Sequence, residues 1–112
     1  MAHDPKTLRA ILADAAPPDL DLAFRPMFGG IMAYAEGRAF ASLSDVGLAL
    51  KATGALAADF LSAGAQPLRY EPDAPPSKSY VVVPDLVLAD HATLRDWIMR
   101  AAAELGAYLP GR

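Results

Sequence analysis

The sequence predicts a two-layer α+β sandwich: a five-stranded, mostly antiparallel sheet covered by three helices, in the order α-β-β-β-α-β-β-α. Three observations lead there. Apolar residues recur at helical spacing in three separate segments. Between the first two lie three short apolar runs divided by Gly- and Asp-containing gaps. A second pair of alternating runs follows the middle helix.

Asp4 can cap the first helix, and Pro5 fits its first position, where a missing N–H costs nothing. Leu8, Ile11, Leu12 and Ala15 share one face, and Pro17-Pro18 ends the helix. The stretch from Asp19 to Gly30 reads as an extended connector closing on a Gly-Gly pair. Ile31 to Tyr34, Arg38 to Leu43 and Leu48 to Lys51 then read as a meander of hairpins.

Thr53 is placed to cap the second helix, in which Leu56, Ala57, Phe60 and Leu61 share a face; Gly64 suits its left-handed C-terminal cap. Pro67 to Glu71 and Lys78 to Val83 alternate as strands across a proline-rich loop. The last helix starts at an Asp90 cap. It carries Leu94, Trp97, Ile98, Ala101, Ala102 and Leu105 on one side and stops at Gly106, leaving Ala107 to Arg112 as a fraying tail.

At 112 residues and 54% hydrophobic content, one domain with a real core is expected, spanning 1–112 with its core at 5–105. Cysteine is absent, which removes disulfides, thiol nucleophiles and thiolate metal sites. The net charge is -3, and the basic residues are scattered along the chain, so direct nucleic-acid binding is disfavoured. The start has no apolar core of signal-peptide type, and no run reaches the ~20 apolar residues of a membrane helix; a cytoplasmic location is expected.

Chemistry-bearing patterns are sparse. His3, expected in a frayed end, and His91 are the histidines, and neither has a ligand-type residue three or four positions away. None of the serines lies in a Gly-x-Ser-x-Gly elbow. No catalytic residue, metal or cofactor is therefore expected, and the chain reads as a non-enzyme. Gly29-Gly30 enters a strand and not a helix, so backbone geometry explains it better than a phosphate cradle. Met27, Phe28, Met32, Tyr34 and Phe40 suit a core, or an apolar patch for a partner. Lys51 at a strand end suits solvent or an anion.

The stretch from Arg25 through Met27-Phe28-Gly29-Gly30 into the hairpin at Ala35-Glu36-Gly37 resembles the N-terminal domain of the TfoX (Sxy) family. Leu48 to Lys51, Pro67 to Tyr70, Ser79-Tyr80, Pro84 and Trp97 continue the likeness in order. The resemblance implies a two-layer fold like that of type III secretion chaperones, and no catalytic residues. Full-length TfoX proteins are positive regulators of competence that act with a cyclic-AMP-dependent transcription activator, and they carry a second, C-terminal helical domain. Ending at Arg112, this chain is expected to be a stand-alone N-terminal domain.

The expected function is a non-enzymatic protein-interaction module linked to transcriptional regulation of DNA uptake. Its partner would be a protein, a second copy of the chain included, and no membrane. The candidate binding residues are Arg25, Met27, Phe28, Gly29, Gly30, Lys51, Ser79 and Tyr80. The alternative is a small-molecule or anion-binding domain using Arg25, Lys51 and the Gly29-Gly30 backbone.

Overall fold

The computed structural model describes residues 3–27 and 29–106. The α+β class holds, with six strands and four helices. They run α1 (Pro5–Ala15), β1 (Leu22–Met27), β2 (Gly30–Ala35), β3 (Arg38–Ser44), β4 (Gly47–Lys51), α2 (Gly54–Ser62), β5 (Gln66–Pro67), β6 (Tyr80–Val82), α3 (Asp85–Leu88) and α4 (His91–Glu104). The strand order is β1-β2-β3-β4-β6-β5, with every neighbouring pair antiparallel.

The meander forms as its spacing predicts. β2 and β3 join through Glu36-Gly37, both at positive φ (51° and 81°), the mirror-image turn that matches strand twist. Glu36 is held there: its N–H donates to the Asp21 carbonyl at 2.9 Å, and its carboxylate accepts from the Asp21 N–H at 2.6 Å. Between Ala33 and Tyr34 the register with β3 shifts. This bulge turns Phe40 inward beside its neighbour Ala41, so two consecutive residues are buried where strict alternation allows one.

The sequence reading needs three corrections. The expected connector contains a sixth strand, β1, paired with β2 from Leu22 opposite Ala35 to Met27 opposite Gly30. Pro26 is tolerated in this strand because at the outer edge its missing N–H breaks no ladder. The expected strand from Pro67 to Glu71 shrinks to Gln66–Pro67. Leu68 still donates to the Tyr80 carbonyl at 3.0 Å, but Ser77 then donates to the Leu68 carbonyl at 2.8 Å, and the proline-rich segment between them leaves the sheet. A fourth helix, α3, is a single turn after Pro84, too short to leave a periodic signature.

α1, α2 and α4 pack on one face of the sheet. Leu8 and Leu12 of α1 meet Phe40, Leu43, Leu48 and Leu50 of the strands in a single buried cluster with Phe60, Trp97 and Ile98. Phe60 of α2 stacks on Trp97 of α4, with ring centroids 4.2 Å apart and planes 15° from parallel. The caps on α1 and α4 are the expected ones: Asp4 accepts from the Lys6 N–H, and Asp90 from the Thr93 N–H and hydroxyl. The Thr93 hydroxyl, with help from its N–H, holds the Asp90 carboxyl below the usual carboxylate range.

Thr53 caps differently from expectation. Its N–H and hydroxyl both donate to the Glu104 carboxylate, at 2.9 and 3.1 Å, tying the start of α2 to the end of α4. His3, expected in a frayed end, is anchored: its N–H donates to the Asp45 carbonyl at 2.9 Å, and its ring lies 3.2 Å from an Asp85 oxygen. Among the described residues no helix is long and apolar enough to cross a membrane. The tail from Ala107 to Arg112, expected to fray, lies outside the described residues.

Candidate functional site

The β1–β2 hairpin separates two concave surfaces. One, on the helix side of the sheet, is a cleft of about 660 Å³ between the start of α1 and the outer strand. Phe24 and Pro26 of β1 line it with Ile31, Gly29 and Gly30; Asp4, Pro5, Lys6 and Arg9 line it from α1. The wall chemistry follows from helix geometry. Leu8 and Leu12 go to the core, which leaves Lys6 and Arg9, three residues apart, together on an exposed flank. The Arg9 guanidinium lies over the Phe24 ring, 4.7 Å from its centroid, so one of its faces is already dry. Asp4 is occupied at the cap, where it accepts from the Lys6 N–H and the Thr7 hydroxyl.

The second surface is the face of the sheet away from the helices. Alternation places Arg25, Met32, Tyr34, Ser42, Lys51 and Tyr80 there, opposite to the buried Ala33, Ala41, Leu50 and Val81. The segment after β5 folds across it. The Tyr70 and Ser42 hydroxyls share a hydrogen bond of 2.9 Å, which leaves Ser42 only 5% exposed. A groove of about 290 Å³ remains, floored by Met32 and Ser42 and walled by Leu68, Tyr70, Ser77 and Tyr80. Burial raises the Tyr80 phenol above its ordinary pKa, and the neighbouring Tyr70 and Tyr34 add to the effect. Tyr80 therefore stays a neutral hydroxyl at physiological pH.

The eight residues singled out in the sequence fall into separate places. Gly29 and Gly30 line the cleft. Met27, at the strand end and 47% exposed, is turned by alternation out of the cleft to the face that Arg25 occupies. Arg25 points to the opposite face, over the Tyr34 ring at 5.6 Å. Lys51 sits on that face too, paired in register with Tyr80. Two strands intervene between Arg25 and Lys51, a lateral separation of about 14 Å. The three anion-holding elements of the alternative reading are therefore not brought together. Ser79 serves the backbone: its carbonyl accepts from the Ala52 N–H at 2.9 Å, and its N–H donates to the Ser77 hydroxyl at 3.2 Å. Phe28 lies outside the described residues.

Gly29 and Gly30 have different reasons to be glycine. Gly29 adopts φ +66° with open space around it. At Gly30 a Cβ would run into the Leu43 carbonyl oxygen, with the Leu43 carbonyl carbon and Ser44 Cβ each 3.4 Å away. The first glycine thus makes the turn, and the second lets β2 lie against β3.

Sequence reasoning missed Lys6, Arg9, Phe24 and Tyr70. The i, i+3 spacing of the two cations was visible, but nothing local says that this flank of α1 stands over β1.

The Gly-Gly turn and the hairpin behind it are the features on which the sequence resemblance rested. The model of the TfoX N-terminal domain family matches residues 20–105. The chain belongs to that family. With membership comes the association of TfoX N-terminal domains with DNA uptake and competence. The matched span begins after α1, so Lys6 and Arg9 lie outside it, whereas Phe24, Gly29 and Gly30 lie within it. Neither the curated proteins nor the solved structures give a match.

Proposed function

We propose that this TfoX N-terminal domain is a non-enzymatic interaction module whose partner is a protein in the transcriptional control of DNA uptake. The observation that carries this reading is the outer hairpin. At the outer strand of the sheet a half-exposed Met27 stands on one face, and a cleft with an apolar floor and a cationic wall lies on the other. An exposed thioether at a sheet edge adapts well to a protein surface, and so does an apolar hollow. The polar groups gathered there are two cations and one carboxylate already occupied at a helix cap, a set suited to holding charge.

The test compares Met27→Asp with Leu86→Asp, a control at an exposed leucine on α3. Both variants are checked for folding by circular dichroism and then used in affinity capture and in solution-mass measurements. The reading requires Met27→Asp to weaken partner capture or self-association selectively. Equal behaviour of the two folded variants would sink it.

A further inference from the structure

We propose that the outer edge of β1 accepts an extended acidic segment of a partner protein as an added strand, with its acidic side chains reaching Lys6 and Arg9. This rests on the interaction-module reading and names the partner's chemistry.

Among the described residues the edge is open, and its polarity can be read. The Glu36 N–H donates to the Asp21 carbonyl, which makes Asp21 and Glu36 a hydrogen-bonded antiparallel pair. Alternation then turns Ala23, Arg25 and Met27 toward β2 with their backbone groups, and Leu22, Phe24 and Pro26 away from it. The N–H groups of Leu22 and Phe24 and the carbonyls of Leu22, Phe24 and Pro26 therefore face outward. Among the described residues no strand pairs with them and no other backbone group bonds to them. Pro26 offers no donor, so an added ladder ends there.

The same residues set the side-chain chemistry. Phe24 and Pro26 place their side chains in the cleft. Every second residue of an added strand would project to the same side, toward the flank of α1. There it meets Lys6 and Arg9, for which the described residues provide no salt bridge. The apolar floor of Phe24, Pro26 and Ile31 suits an apolar side chain two residues from the acidic one. Charge also selects against a second copy at this edge. Strand pairing of two copies about a twofold axis would set the Lys6–Arg9 flank of one against that of the other, and like charges there oppose docking.

The probes are two fluorescent synthetic peptides of about eight residues, roughly enough to pair along the six residues of β1. One repeats Thr-Glu-Thr-Leu; the other repeats Thr-Lys-Thr-Leu. The acidic peptide should bind at least about tenfold more tightly, with an affinity that falls as salt rises. A folded Lys6→Glu/Arg9→Glu variant should reverse the preference. Hydrogen exchange at the Leu22 and Phe24 amides should slow when the acidic peptide is bound. Equal affinity for the two peptides, or unchanged exchange at both amides, overturns the proposal. So does slowed exchange at these amides with a doubled solution mass and no peptide, which would assign the edge to self-pairing. If the peptides fail while Met27→Asp still disrupts capture, the edge proposal falls and the interaction module stands.

Discussion

Replacing Gly30 by alanine tests whether the Gly-Gly pair shapes the sheet or serves a ligand. The added Cβ meets a backbone oxygen, that of Leu43, and not the movable end of a side chain. β2 and β3 must therefore part next to the Ile31–Leu43 pair, or Gly30 must rotate out of register with Met27. Overpacking of this kind costs ~1–3 kcal/mol, and a lost ladder hydrogen bond adds about 1 kcal/mol. At roughly 4 °C per kcal/mol for a domain of this size, Tm should drop by about 8–16 °C. Gly29→Ala meets no atom and pays only for a left-handed φ of +66°, about 1–2 kcal/mol, with Gly29→Asn milder still. Thermal unfolding followed by circular dichroism ranks the three. If Gly30→Ala melts within about 2 °C of the wild type, the steric reasoning is wrong. A Gly30→Ala protein that keeps its Tm but loses its partner would assign the glycine to the cleft instead.

Three more outcomes are expected. Tyr70→Phe leaves the buried Ser42 hydroxyl without its partner, costing about 1 kcal/mol, and limited proteolysis should cut faster within residues 71–78. Phe60→Leu removes the stack on Trp97 and opens a small void, so urea unfolding should show a loss of about 1.5–3 kcal/mol and Trp97 emission should change. Asp90 has a depressed folded-state pKa, so its cap contribution is complete above the unfolded carboxylate value, about 3.9, and disappears as pH falls through the lower folded value. The Tm gap between wild type and Asp90→Ala should therefore be constant from pH 7 to about 5 and close below about 4; a gap independent of pH would remove the charged cap from the account.

The helices were legible because their signals are local. The Asp4 and Asp90 caps, the spacing of Leu8 and Leu12, and that of Leu94, Trp97 and Ile98 each reside within a few neighbouring residues. The β2–β3–β4 meander was legible for the same reason, since short gaps set its hairpins. The family likeness was carried by Met27 to Gly30, whose glycines answer to the turn and to the Leu43 carbonyl.

β1 was not legible, because Pro26 is acceptable in a strand only at an edge, and edge position belongs to the sheet as a whole. The inward turn of Phe40 required the bulge opposite Tyr34, which depends on how two strands register. The same limit governed the site. Lys6 and Arg9 are distant from Phe24 in sequence and meet it only when α1 lies along the outer strand, while Arg25, one residue from Phe24, goes to the opposite face. The amino-acid sequence by itself determined the three long helices, the β2–β3–β4 hairpins and the family of this protein, because those follow from neighbours along the chain. Which cations share a cleft, and which edge is left open beside them, was decided by packing between segments that no local pattern connects.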